Sequence, residues 1–141
     1  MKTTTATILL AMLLGACGLA PKPEHPPKPF IGTKWVVQLE LPVQGEQPWV
    51  RFGDGRMEGF GGCNRINARY GEDSVGARSI VIYRIDRGTK GCDSGTQMAE
   101  ARVLEVLQSV SSYHITIDLL VMAGSGGALK FRSDPPAEIK P

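Results

Sequence analysis

The sequence predicts an α+β fold, a small curved antiparallel β-sheet or partly open barrel with one amphipathic helix packed against it. Three features carry this expectation. Short stretches alternate apolar and polar residues with period two, and the glycine-rich turns Gly53-Asp54-Gly55 and Gly124-Ser125-Gly126-Gly127 separate several of them. One segment alone, residues 95–111, shows the three-and-four recurrence of a helix. Strands, one helix, then more strands is the order of a sheet with a helix against one side.

The elements follow in chain order. From Lys34 to Glu40, Trp35, Val37 and Leu39 point one way and Lys34, Gln38 and Glu40 the other, the pattern of a half-buried strand. Residues 48–52 and 56–60 flank Gly53-Asp54-Gly55, a hairpin signal because the turn needs positive φ. Gly59-Phe60-Gly61-Gly62 then interrupts the strand pattern and marks a bulge or sharp bend. Residues 67–71 read as a short strand, and Ser79 to Ile85 as another, with Ile80, Ile82 and Tyr83 available for packing. In the helix, Met98, Ala101, Val103, Leu104, Leu107 and Val110 form the apolar side; Glu100, Arg102, Glu105 and Gln108 form the wet one. Ser94 with Gln97 three residues on fits a capping box. Tyr113, Ile115 and Ile117 alternate again, and Leu119 to Ala123 and Ala128 to Arg132 flank the second hairpin turn.

The folded domain is therefore expected over residues 30–132. Before it, Lys2 and the apolar run Ala6 to Leu14 have the pattern of a secretory signal peptide over residues 1–16, too short for a permanent membrane helix. Leu14-Gly15-Ala16-Cys17 resembles a lipobox, which implies cleavage before Cys17, a thioether to diacylglycerol on its sulfur and an amide-linked acyl chain such as palmitate on the new N-terminus. More than one acyl chain is needed for stable anchoring. Gly18 after the cysteine implies sorting to the outer membrane in a Gram-negative cell, with the domain facing the periplasm. Residues 17–29 form the lipidated cysteine and a proline-rich tether that no core can include, a semi-rigid spacer of about 3 Å per residue. Residues 133–141 are again proline-rich and expected to be disordered.

Composition narrows the partners. A formal net charge of +2 and few aromatic residues argue against nucleic acid. The expected partners are the membrane, through the lipid, and an envelope protein or lipid whose identity the residues do not specify. No cofactor is implied.

Gly59-Phe60-Gly61-Gly62-Cys63-Asn64-Arg65, followed by Tyr70, resembles the signature of the META domain, also called the HslJ-like domain. The resemblance runs through Cys92, Glu100, Leu104 and Leu107, and Tyr113-His114-Ile115, to Leu129-Lys130-Phe131. The chain departs from the family at Ala68, where glycine is common, and at Gly88-Thr89-Lys90-Gly91, where Thr-x-Met-Ala is common. The resemblance implies a small β-rich envelope domain, often lipid-anchored, tied to heat-shock or drug-stress responses rather than to a defined reaction. The fold also resembles pilot lipoproteins of secretion systems, which hold a secretin tail or a lipid in an apolar groove.

With Cys17 taken by lipid, Cys63 and Cys92 remain as an even pair in an oxidising compartment and are expected to form a disulfide. Closing a loop of about 30 residues contributes roughly 3.6 kcal/mol in the chain-entropy view. Two alternatives stand beside it: a cysteine nucleophile with His114 as base, and a zinc site drawing on Cys63, Cys92, His114 and Asp93. Asn64 is expected to make local backbone hydrogen bonds at the bend, and Trp35 and Trp49 to pack the sheet. Arg51, Arg56, Arg65 and Arg69 read as solvated strand faces, with an anion-binding patch as the alternative. A non-enzymatic binding protein is the leading expectation, with a lipid- or peptide-carrying pilot-like protein, or an inhibitor or sensor of periplasmic proteases, as alternatives.

Overall fold

The computed structural model describes residues 25–72 and 78–135. The expected signal peptide, Cys17, most of the tether and the last residues of the tail lie outside them. Eight strands form a single antiparallel sheet: β1 (Lys34–Val37), β2 (Trp49–Gly53), β3 (Arg56–Phe60), β4 (Arg65–Glu72), β5 (Ile80–Arg87), β6 (Val110–Thr116), β7 (Leu119–Gly124) and β8 (Gly127–Asp134). The helix α1 (Ser94–Ser109) lies between β5 and β6 in sequence. The sheet order is β5-β4-β3-β2-β1-β8-β7-β6, so two meanders join along β1 and β8. The two edge strands, β5 and β6, are the pair that α1 connects. The sheet curls until those edges touch at the bridge Ser79–Ser112, beside a hydrogen bond from Tyr113 N to Arg78 O of 2.9 Å. The α+β expectation of a curved, partly open barrel with one helix holds.

Local chemistry accounts for most elements. Asp54 and Gly55 both have positive φ, the two-residue turn that the Asp-Gly pair favours. Trp35, Val50, Phe52, Met57, Ile66, Leu120, Met122 and Phe131 point inward and are buried. Val103, Val106 and Leu107 meet them from α1, filling the space between helix and sheet. Trp49 lies on the outer face, opposite Val36, and is still only 6% exposed. Lys34, Arg51 and Arg65 sit 5.2, 5.6 and 5.8 Å from its ring, and its Nε1 donates to Glu46 at 2.6 Å.

Several expectations are corrected. β4 begins at Arg65 and is longer than the 67–71 anticipated, because pairing with β3 extends to Phe60–Arg65. β8 continues two residues past Arg132, with Ser133 opposite Trp35 and Asp134 opposite Lys34. Tyr83 faces outward, since Ile80 and Ile82 hold the inward register of β5. On α1 the buried stripe is Thr96, Glu100, Val103, Leu104, Val106 and Leu107. Met98 falls on the opposite side of the turn and is 73% exposed. The cap is Asp93 rather than Ser94: its carboxylate accepts from Thr96 N at 3.0 Å and Thr96 Oγ1 at 2.6 Å. The Thr96 hydroxyl and amide together hold the Asp93 carboxyl below its usual range.

The end of the tether belongs to the domain. Lys28 N donates to Ile117 O at 2.6 Å, Gly32 N donates to Phe52 O at 2.9 Å, and Trp35 Nε1 donates to Phe30 O at 3.2 Å. The Phe30 ring stacks between Phe52 and Tyr113, with centroids 4.3 and 4.4 Å away, and meets Tyr70 edge-on. Burial and a hydrogen bond to Glu72 push the Tyr113 hydroxyl up to about 12, so it remains a donor at this end of the barrel. Phe30 thus seals the end where β2 and β4 finish. Phe30→Ala is expected to lower unfolding free energy by about 3 kcal/mol, the low end for a packed aromatic. Urea titration checks this, and an unchanged midpoint would show that the plug contributes nothing.

Candidate functional site

The family-like residues converge at the other end of the barrel, where β3 ends, β4 begins and α1 starts. Their organiser is Glu100. Expected on the wet side of the helix, it is 3% exposed. Its Oε2 accepts from Asn64 N at 2.6 Å and Cys63 N at 3.2 Å; its Oε1 accepts from Asn64 Nδ2 and from Arg87 Nη1, both at 3.0 Å. Burial alone raises a carboxyl pKa. Here the donors from Asn64, Arg87 and Cys63 outweigh it and hold Glu100 below the ordinary glutamate value. The sequence did hold a signal: Glu100 stands three, four and seven residues before Val103, Leu104 and Leu107, on the buried stripe.

Within the signature, Gly59 to Arg65 serve this junction or the sheet next to it, while Tyr70 belongs to the Phe30 end. A Cβ on Gly61 would lie 2.7 Å from Glu100 Cγ and 2.8 Å from its Oε2, so only glycine lets the chain cross the carboxylate. A Cβ on Gly59 would lie 2.5 Å from Trp49 O. Gly62 has φ +110, a conformation side chains rarely adopt. The Asn64 side chain bonds to distant residues rather than to the local backbone that its place at the bend suggests. Its Oδ1 accepts from Lys90 N at 2.8 Å and its Nδ2 donates to Lys90 O at 3.2 Å, which ties in the loop before Cys92. Gly88 in that loop fits closely, since a Cβ there would lie 2.8 Å from Asn64 Oδ1. Arg65 covers Trp49, and Tyr70 packs edge-on against Phe52 at 5.2 Å. Ala68 is buried in β4 opposite Met57.

Cys63 and Cys92 are joined, with Cα atoms 6.0 Å apart. The disulfide adds a covalent link between the two loops that Asn64 and Glu100 already hold. It also leaves neither sulfur as a thiol, so the nucleophile reading has no nucleophile. His114 is engaged elsewhere, with Arg78 at Nδ1 and Thr116 Oγ1 at 3.0 Å from Nε2. Asp93, the fourth group of the zinc alternative, caps α1. Three of the four arginines, Arg51, Arg56 and Arg69, line one depression, with Arg56 and Arg69 directly opposite each other on β3 and β4, while Arg65 stands apart over the Trp49 ring.

A second feature went unread in the sequence. Residues 38–44, the first half of α1 and β8 enclose a groove of 890 Å³. Leu41, 85% exposed, and Met98 line it, with Gln38, Glu40, Arg102 and Lys130 among its polar residues. Leu41 falls outside every periodic segment, and Met98, expected on the apolar side of the helix, lines this groove instead.

The Glu100 junction gives a pH prediction. A depressed folded-state pKa contributes stability that is fully present above the ordinary value of 4.5 and is lost as the pH falls from there through the lowered value. Glu100→Gln is expected to cost about 3 kcal/mol at neutral pH, because an amide presents a donor to groups that need acceptors. It should also flatten the acid limb of stability against pH. Denaturant unfolding from neutral to acid pH checks both, and an acid limb as steep as that of the parent would exclude Glu100 as its source.

The comparisons fit this geometry. Two solved structures are similar. An NMR structure of a protein from Burkholderia xenovorans superposes with a TM-score of 0.61 at 17% identity, covering 74% of this chain and 83% of that one. A second NMR structure gives a TM-score of 0.57 at 14% identity, covering 71% and 87%. At these identities the likeness is one of fold. No curated protein matches the chain. The model of the META domain matches residues 29–135, from the residue before the Phe30 plug to the residue after β8, and the chain belongs to the META domain family.

Proposed function

We propose that this chain is an envelope lipoprotein, processed before Cys17, lipid-anchored to the outer membrane on the periplasmic side, and acting by binding rather than by catalysis. The observation that carries the binding reading is the groove between residues 38–44, α1 and β8. Single exposed apolar residues are ordinary on a protein surface, but Leu41 and Met98 line one concavity within a polar rim, the make-up of a contact surface. Its 890 Å³ falls within the range of about 300–1,000 Å³ typical of ligand sites. The Cys63–Cys92 disulfide supports the oxidising compartment to which the N-terminal sequence points. In this reading the groove receives an apolar segment of an envelope partner, and the protein contributes to envelope integrity or stress tolerance.

A pilot-like carrier is the second reading, and the same groove favours it. The occupant would lie outside the barrel, because Val103, Val106 and Leu107 already fill the space between helix and sheet. Two measurements test the proposal. The intact mass of protein extracted from membranes should carry the lipid increment on Cys17, with no alkylation of Cys63 or Cys92 until reduction. Leu41→Asp with Met98→Asp should leave the unfolding midpoint unchanged and abolish rescue of a deletion strain under envelope stress. An unlipidated N-terminus overturns the anchor, and full rescue by the double variant overturns the groove.

A further inference from the structure

We infer that the outer face of β2–β5 carries a binding site for phosphate-bearing anions, built on Arg56, Arg69 and Arg84. Arg56 and Arg69 are direct cross-strand partners, a placement that destabilises a sheet when both residues carry the same charge. The next residue along the same line, on β5, is Tyr83, and beside it Arg84 adopts φ +51. That left-handed backbone coincides with the register shift between Asn67 and Arg69, a β-bulge. Bulges re-aim side chains, and here the bulge sends a third guanidinium to the same depression of 730 Å³.

Acidic groups are present but do not neutralise these three. Glu58 is held by Arg51 at 3.2 Å. Asp54 lies at the hairpin tip and Asp86 lines the depression opposite Asn67, but among the described residues no carboxylate is within 4.0 Å of Arg56, Arg69 or Arg84. Arg51 Nε, also in the depression, is buried without an acceptor. Converging unpaired guanidinium donors, with one donor lacking an acceptor, fit the tetrahedral oxygens of a phosphate monoester or diester.

The location favours one source. Ile31 and Gly32, just past the point where Lys28 fastens the tether, line the depression. In the anchoring reading the lipid would sit on Cys17, 11 residues before Lys28, and would bring this face within reach of a head-group plane. That choice of source rests on the anchoring reading; the site itself does not.

The test uses the full chain carrying Cys17→Ser, which takes no lipid. Titration with inorganic phosphate, followed by amide shifts in NMR, is compared with flotation on vesicles of phosphatidylcholine alone and of equal parts phosphatidylcholine and phosphatidylglycerol. Phosphate is expected to move the Arg56, Arg69 and Arg84 resonances, and the mixed vesicles to capture the protein. Arg56→Gln with Arg69→Gln should weaken both by at least about tenfold without lowering the unfolding midpoint. Lys130→Gln, on β8, should change either by less than about twofold. Phosphate binding without vesicle capture supports the site and assigns it to soluble phosphate esters. Binding of neither probe, or equal weakening by Lys130→Gln, overturns the proposal.

Discussion

The Glu100 carboxylate, buried in the first half of α1, receives four hydrogen bonds from residues on two other segments of the chain. A charge taken out of water without such partners would cost far more than the domain can lose. With them it becomes the point where the loop after β3, the end of β5 and the helix share one set of bonds. Asn64 extends the junction to Lys90, and the disulfide adds a covalent link between the same two loops. Gly61 is glycine because a side chain there would occupy the carboxylate's place. The signature is thus explained by what surrounds Glu100: it is the sequence of a chain passing over a buried acid.

This junction closes one end of the barrel and Phe30 closes the other. Between them the interior is packed by Trp35, Phe52, Met57, Leu107, Met122 and Phe131. The seam between β5 and β6 is narrow, joined by one bridge, and α1 packs on β5, β7 and β8 beside it. Such a half-barrel has little internal room to offer a ligand, and its outward surfaces are the ones available for binding.

What the sequence showed and hid follows from locality. The first hairpin was legible because Asp54-Gly55 needs only its own backbone conformation, and the helix because its period spans many residues. A glutamate on a helix is usually solvated, which hides the burial of Glu100; its position on the buried stripe points the other way, and its donors stand 13, 36 and 37 residues back in the chain. Phe30 follows a proline-rich stretch without periodicity, and its ring partners come from β2, β4 and β6. Asp93 prevailed over Ser94 at the cap because the chain turns into the helix one residue earlier than the capping-box spacing suggested. Cross-strand register along β2–β4 gathers Arg51, Arg56 and Arg69 and leaves Arg65 apart, and Arg84 joins them at a β4–β5 bulge that composition does not announce.

Register also separates the two outward surfaces. The cationic depression adjoins Ile31 and Gly32, at the end of the barrel where the tether enters. The apolar groove adjoins Asp93 and Thr96, at the end where α1 begins. A chain anchored through its N-terminus would present the first toward the lipid and the second away from it. Charge near head groups and apolar surface facing the periplasm are the arrangement in which each surface meets the chemistry it can hold. The reverse placement would set Leu41 and Met98 against a charged interface and leave three guanidinium groups without a counter-charge. If the chain is anchored as proposed, the direction in which it enters the domain, set by Phe30 in its aromatic slot, would decide which face is turned to a partner.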